Sequence, residues 1–161
     1  MIESIKYISS KSKELLILQI EAFRSIDQKS GIIVGIASLF LPLFIASLTK
    51  QNKIIQIASI IPILLLLIGI VIILYAIRSQ RLAEGFNEDE FDRLINRNIK
   101  HIFIAEISYN KYCIQKNNII VDKKNRFFNI GLILIIVAII LSIILLSINV
   151  IISFTIGEKN A

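Results

Sequence analysis

Few residues in this sequence have the types and spacing that catalysis or metal binding requires. The single histidine, His101, and the single cysteine, Cys113, lie twelve positions apart. On one continuous helix they would be about 18 Å apart, too far for a nucleophile and its base. One histidine and one cysteine do not make a metal site either. The sequence contains no phosphate-binding glycine loop and no zinc-protease motif. We therefore expect no enzymatic activity and no cofactor.

The polar residues that do form a pattern lie in the last apolar run. Gly131, Ala138, Ser142, Asn149 and Ser153 follow one another at intervals of 7, 4, 7 and 4 positions. This spacing places all five on one face of a helix. Asn149 is the most polar of them, and an amide in lipid needs a partner from another helix. We expect an oligomer or pore face here. It is either a packing seam, the simpler interpretation, or the lining of a polar path through an oligomer.

These residues belong to a chain with three long apolar runs. The first two cover 31–48 and 54–77, contain no ionisable side chain, and are joined by five polar residues. A third covers 128–156. A helix needs about 20 apolar residues to cross a bilayer, so each run is close to sufficient or longer. The composition is 55% hydrophobic with a mean hydropathy of +0.76, too apolar for an ordinary soluble domain of 161 residues.

Charge is confined to four blocks, at 1–29, 49–53, 78–127 and 157–161. The first and third hold most of the lysines and arginines, which predicts that both are cytoplasmic. The net charge of +6 is thereby explained without a nucleic-acid partner. The single cysteine cannot form an intrachain disulfide, which fits a reducing compartment. No cleavable signal peptide is evident before the first run.

The predicted fold class is therefore an all-α integral membrane protein of the cell membrane. It has three transmembrane helices and a cytoplasmic helical bundle, with the N-terminus inside and the C-terminus outside. The expected segments are an N-terminal amphipathic cytoplasmic helix at 1–30, a transmembrane hairpin at 31–77, a cytoplasmic helical insert at 78–127, a third transmembrane helix at 128–156, and a short tail at 157–161.

Charged residues mark the expected membrane junctions, namely Asp27, Lys29, Lys123, Lys124 and Arg126. Lysines and arginines beside a span normally reach back to the headgroups, and anchoring is the simplest role for them. Binding of an anionic lipid or a nucleotide is the alternative for the second cluster. Asp27 either caps a helix start or pairs with a basic residue of the 78–127 insert.

Three glycines are expected at helix contacts, because a glycine lets a second backbone approach closely. Gly31 and Gly35 form a small-x-x-x-small pair, and Ser38, Pro42 and Ala46 fall close to the same face. Gly69 lies in the second run. Pro42 and Pro62 are the only prolines. They are interpreted either as bends in a packed helix pair or as gating kinks.

The cytoplasmic insert contains an apolar stripe. After a linker ending at Gly85, Asn87 and Glu90 have the spacing of a capping box, which predicts a helix from about residue 88 onward. Its apolar face includes Phe91, Leu94, Ile95 and Ile99, a candidate docking face for a protein partner. The amphipathic helix over 2–28 either lies on the membrane surface or packs against this insert.

The order of these parts resembles small membrane effectors of prokaryotic antiviral defence, such as the SLATT domains and the Pycsar transmembrane effectors. Asp27, Lys29 and Ser30 match the "-D-x-K-[AS]-" junction that commonly opens the hairpin in those families. The resemblance also covers an insert with Glu106, Tyr109 and Asn117, followed by Lys123 to Arg126. It implies membrane impairment after a signal, through oligomerisation, with arrest or death of the infected cell.

We therefore expect an oligomeric membrane effector that perturbs membrane integrity or conductance on a cytoplasmic signal. The expected partners are membrane lipids, further copies of the chain, and a cytoplasmic protein or signalling ligand. The alternative is a non-conducting membrane scaffold that recruits a soluble partner. A small transporter is disfavoured, because the runs lack charged substrate-binding residues and the chain shows no repeat.

Overall fold

The computed structural model describes residues 2–48, 53–78, 80–86 and 88–157, without the side chains of residues 43, 46–48, 88, 89, 91 and 153–157. These residues form five α-helices and no strand, which confirms the all-α class. The helices are α1 (Ile2–Leu48), α2 (Lys53–Ala58), α3 (Ile60–Ile77), α4 (Glu88–Leu94) and α5 (Ile99–Gly157). The predicted capping residue Asn87 and most of the 157–161 tail lie outside the described residues.

Two helical segments of the described chain are long and apolar enough to cross a membrane. They are Lys53–Ile77, which joins α2 and α3, with a mean hydropathy of 3.2, and Ile99–Ile152 of α5, with 3.3. The 31–48 run forms the end of α1, and several of its last side chains lie outside the described residues.

The two prolines have different consequences for the helices that contain them. α1 continues through Pro42. By contrast, α2 and α3 are separated at Ser59, three residues before Pro62. A proline ring clashes with the carbonyl four residues earlier, here that of Ala58. The Ser59 amide still donates to the Ile55 carbonyl at 2.9 Å, so the separation is local.

The predicted uninterrupted helix from residue 88 is wrong beyond Leu94. The chain turns at 95–98, and α5 begins at Ile99. Asn98 explains the new start, because its Oδ1 accepts the Lys100 amide at 3.1 Å and its carbonyl accepts the His101 amide at 2.8 Å. Asparagine is among the best residues for this capping position. The stripe from Phe91 to Ile99 is thus divided between two helices.

The chain divides into two compact units, and α1 and α5 each contribute residues to both. One unit, called here the polar unit, comprises Met1–Asp27 with Ser79–Asn125. The other, the apolar unit, comprises Gln28–Arg78 with Arg126–Ala161.

In the polar unit, α1 and α5 run parallel. Ser9 contacts Glu106, Ser12 contacts Asn110, and Asp27 contacts Lys124. The partner on α5 therefore lies 97 or 98 positions after the residue on α1 in each of these pairs. A parallel pair needs a long connection, which the chain between α1 and α5 supplies.

In the apolar unit, α3 and α5 run antiparallel. Ile73 lies beside Gly131, and Gly69 lies beside Ile135. Tyr75 also meets Phe127 edge to face, with ring centroids 5.1 Å apart. The core is filled by six buried apolar side chains, contributed by α1, α3 and α5: Ala37, Phe44, Leu66, Ile73, Ile135 and Ala138.

Buried positions follow a seven-residue repeat. On α1 they are Ser9, Leu16 and Phe23 in the polar unit and Ser30, Ala37 and Phe44 in the apolar unit. On α2 and α3 they alternate at intervals of four and three, at Ile55, Ser59, Pro62, Leu66, Gly69, Ile73 and Ala76. This pattern is typical of helices packed as left-handed coiled coils.

Candidate functional site

Two glycines of the apolar unit lie where α3 and α5 approach each other closely. A Cβ built on Gly131 would lie 2.9 Å from the Gly69 carbonyl oxygen and 2.5 Å from Cγ1 of Ile73. A Cβ on Gly69 would lie 3.1 Å from the Gly131 carbonyl oxygen and 2.8 Å from Cγ1 of Ile135. Both positions therefore need glycine, since the backbones of α3 and α5 approach too closely for a side chain.

The five-residue face of α5 lies largely inside one chain. Gly131, Ala138 and Ser142 are buried, and Gly131 is in the contact with α3 described above. The hydroxyl of Ser142 has no hydrogen-bond partner among the described residues. Asn149 is half-buried, and the side chain of Ser153 lies outside the described residues. In this arrangement the buried part of the face is an intrachain seam.

A second small-residue face, on α1, is open. Gly31, Gly35, Ser38 and Pro42 follow at intervals of 4, 3 and 4, and all four are exposed. A Cβ on Gly31 or Gly35 would meet no described atom within 4 Å. These two glycines therefore do not pack within the described chain, and a helix contact through them would need a second molecule.

In the polar unit, Lys124 is turned inward. Its side chain is 4% exposed, and its Nζ lies 2.6 Å from Asp27 Oδ1. The same Nζ lies 3.3 Å from the centroid of the Phe23 ring, a cation–π contact. Of the two roles considered for Asp27, the structure has the ion pair. Lys29, Lys123 and Arg126 are exposed, as headgroup anchors need to be.

Polar contacts continue along the α1–α5 pair in the polar unit. Gln19 donates to the Ile114 carbonyl at 3.1 Å and also contacts the side chain of Asn118. The Asn110 amide donates to the Ser12 hydroxyl at 3.0 Å. The sequence offered only a weak signal for this ladder, the recurrence of Ser, Asn and Gln at intervals of three, four or seven on both helices.

One asparagine holds the loop between α3 and α4. Asn117 is fully buried, its Oδ1 accepts the Ala83 amide, and its Nδ2 donates to the Ala83 carbonyl, both at 2.9 Å. Two residues later Gly85 has a φ of +104°, a conformation that favours glycine. The ring of Phe86 then stacks on Tyr109 with centroids 5.4 Å apart. The loop over 80–86 is thereby held against α5 at two points, Ala83 and Phe86.

This loop forms one wall of an open cavity of about 620 Å³ within the polar unit. The other walls come from α1 and α5. Its charged lining residues are Arg24, Arg81, Lys116 and Glu84, and its aromatic ones include Tyr109 and Tyr112. The sequence did not single out this cavity, because its residues come from three separate segments.

The predicted docking face is partly accessible. Ile95 is 77% exposed and Ile99 is 56% exposed, whereas Leu94 is half-buried. The side chain of Phe91 lies outside the described residues.

No group of three or more metal-binding side chains occurs in the part of the chain that the structure describes. Cys113, on α5, is a free cysteine and is fully buried. The chain matches no protein-family model, no curated protein and no solved structure.

Proposed function

We propose that this protein is an oligomeric integral membrane effector with three transmembrane helices and a cytoplasmic polar unit. On a cytoplasmic signal it perturbs membrane integrity or conductance. Its biological setting is antiviral defence, in line with the resemblance to the SLATT domains and the Pycsar transmembrane effectors.

The membrane assignment is supported by the outer surface of the apolar unit. Large apolar side chains are exposed on each of its helices, for example Leu39 at 72%, Ile54 at 76% and Ile133 at 60%. In water such a surface would drive aggregation, whereas in a membrane these side chains can contact the lipid directly. The charge asymmetry between the blocks supports the orientation with the polar unit inside.

The open face of α1 carries the proposal of an oligomer. Gly31, Gly35, Ser38 and Pro42 form a shallow groove with nothing packed into it from the described chain. Exposed isoleucines, Ile32 and Ile36, flank this groove. A groove of small residues between larger apolar ones is the usual contact surface of paired transmembrane helices. We place the contact between copies here.

Conduction requires such an oligomer. The core of the apolar unit is filled by side chains such as Phe44, Leu66 and Ile135, so the described residues of one chain enclose no channel. The proposed switch is a repacking of the Gly131–Ser153 face against the 31–77 hairpin.

The experiment is expression in cells that carry a voltage-sensitive dye, alone and with the neighbouring genes. We expect depolarisation by the parent chain and its relief by Gly35→Leu, which fills the groove. Ser147→Leu is the matched control. It adds the same side chain at an exposed position of α5, and it should depolarise like the parent.

Mass measurement of the purified particle completes the test. The parent should be an oligomer and Gly35→Leu a smaller particle. If the protein causes no depolarisation under any condition and instead forms a stable complex with a soluble protein, the effector hypothesis is wrong. The non-conducting membrane scaffold would then be the better account of its function.

A further inference from the structure

The cavity of the polar unit carries an excess of positive charge. Arg24 comes from α1, Arg81 from the loop and Lys116 from α5, and the single acidic lining residue is Glu84. Three cations and one carboxylate leave a net charge of +2 around one opening. Three separate segments thus bring cations to the same place.

Among the described residues, no ion pair involves these charges. The ion pairs of the described residues are Lys11–Glu14, Arg93–Glu90 and Lys124–Asp27, and none involves a residue of the cavity. Cations in net excess around one opening repel one another and are stabilised by a bound anion. Arginine in particular suits phosphate, because its planar fork donates two parallel hydrogen bonds.

The cavity also has an aromatic wall. Phe86 covers one side of Tyr109, and Tyr112 meets Tyr109 only at a tilted 47° with centroids 6.4 Å apart. Tyr112 is 57% exposed, so a ring face is accessible for stacking. Base–aromatic stacking contributes about 1–3 kcal/mol per base in nucleic-acid complexes. The Glu84 carboxylate can accept a hydrogen bond from a ring amino group.

The wall formed by the loop is pre-organised. Asn117 holds Ala83 through two hydrogen bonds of 2.9 Å, and Phe86 is held by its stacking on Tyr109. A site whose backbone is already ordered loses less conformational entropy when a ligand binds.

We propose that this cavity binds a soluble phosphorylated ligand with a planar ring, of the nucleotide class. Its volume of about 620 Å³ falls within the usual range of small-molecule sites. The phosphate lies against Arg24, Arg81 and Lys116, and the ring stacks on Tyr112. The role of this ligand as the activating signal rests on the proposed function, whereas its binding does not.

The test is equilibrium binding to the purified full-length chain in mild detergent at low salt. The probes are the four 5′-ribonucleoside monophosphates, their nucleosides and inorganic phosphate. We expect at least one monophosphate to bind more tightly than its nucleoside and than phosphate. Arg81→Gln should weaken that binding about tenfold, since it removes a charge-assisted contact. Tyr112→Ala should weaken nucleotide binding but leave phosphate binding unchanged.

Two matched variants test the specificity of these effects. Lys111→Gln removes an exposed charge from α5 outside the cavity lining, and Tyr7→Ala removes an exposed ring from α1. Both should bind like the parent. The proposal is overturned if no monophosphate binds, or if Lys111→Gln weakens binding as much as Arg81→Gln.

A lipid headgroup is the other source of phosphate, and dihexanoyl phosphatidic acid is its probe. Tighter binding of this lipid than of every nucleotide, with no effect of Tyr112→Ala, would also overturn the proposal. The binding experiment does not measure conductance. Nucleotide binding by a protein that causes no depolarisation would therefore support this site and contradict only the effector function.

Discussion

The Nζ of Lys124 lies 2.6 Å from Oδ1 of Asp27, although the lysine side chain is only 4% exposed. Burial of an ammonium group is unfavourable unless nearby groups compensate the lost hydration. Here the carboxylate and the face of the Phe23 ring, 3.3 Å from the nitrogen, provide that compensation. The contact joins α1 and α5 at the end of the polar unit.

The first prediction concerns this ion pair. Asp27→Asn removes the carboxylate and leaves the Lys124 cation buried. Only the cation–π contact with the aromatic ring then stabilises it. Breaking a buried pair typically costs about 3–5 kcal/mol. Because Asp27 is 35% exposed, we expect a smaller loss in free energy of unfolding, of about 1–3 kcal/mol. Denaturant unfolding in detergent measures it.

Two further variants isolate the cause. Adding Lys124→Met to Asp27→Asn removes the uncompensated charge and should recover most of the stability. Lys123→Met changes an exposed lysine and should shift the free energy of unfolding by less than about 0.5 kcal/mol. Equal stability of Asp27→Asn and the parent would contradict the importance of the pair.

The second prediction compares two glycines under the same substitution. Gly131→Ala places a Cβ 2.9 Å from the Gly69 carbonyl oxygen, a backbone atom that cannot move without separating the helices. We expect a loss of about 1–3 kcal/mol in unfolding free energy.

Gly31→Ala is the control, because nothing described lies within 4 Å of the new Cβ. Alanine has the higher helix propensity, so the free energy of unfolding of the monomeric chain, measured in detergent that dissociates the proposed oligomer, should stay the same or rise by up to about 1 kcal/mol. Equal losses for the two variants would mean that the α3–α5 approach is not the limiting contact.

The third prediction concerns Cys113, whose side chain is fully buried in the polar unit. A maleimide needs an accessible thiol, so the native protein should remain unlabelled over hours. The chain unfolded in denaturant should label within minutes. Intact-mass spectrometry separates the two forms. Rapid labelling of the native protein would show that the polar unit opens readily in detergent.

Sequence periodicity predicted the helices well but not what they face. The spacing of Gly131, Ala138 and Ser142 correctly predicts a common helix face. It does not distinguish a partner in the same chain from one in another copy, because both would need the same small residues. Gly31 and Gly35 show the reverse outcome. Their spacing predicts a helix contact equally well, yet no described residue packs against them.

Lys124 and Asn98 differ from the simplest expectation for different physical reasons. A lysine beside an apolar run normally reaches the headgroups, and the inward direction of Lys124 depends on Asp27 and Phe23, about 100 positions away. The helix expected from residue 88 onward would include Asn98, yet the Asn98 side chain caps the start of α5. Capping competes with helix continuation wherever an asparagine occurs, and tertiary context decides the outcome.

The last prediction tests how the loop over 80–86 is held. Asn117→Leu removes both hydrogen bonds to Ala83 and leaves that amide and carbonyl without their buried partner. The unsatisfied groups should cost about 1–3 kcal/mol, and the loop should open to gain water. Hydrogen exchange with mass spectrometry should therefore show faster exchange of the Ala83 amide.

Asn118→Ala provides the comparison on the same helix. Asn118 contacts Gln19 on α1, so its loss should leave exchange at Ala83 unchanged. Because the loop forms one wall of the cavity, Asn117→Leu should also weaken nucleotide binding, whereas Asn118→Ala should not. Unchanged exchange at Ala83 in Asn117→Leu would mean that stacking of Phe86 on Tyr109 suffices to hold the loop. In that case we expect Phe86→Ala to produce the faster exchange instead, because it removes the stacking on Tyr109.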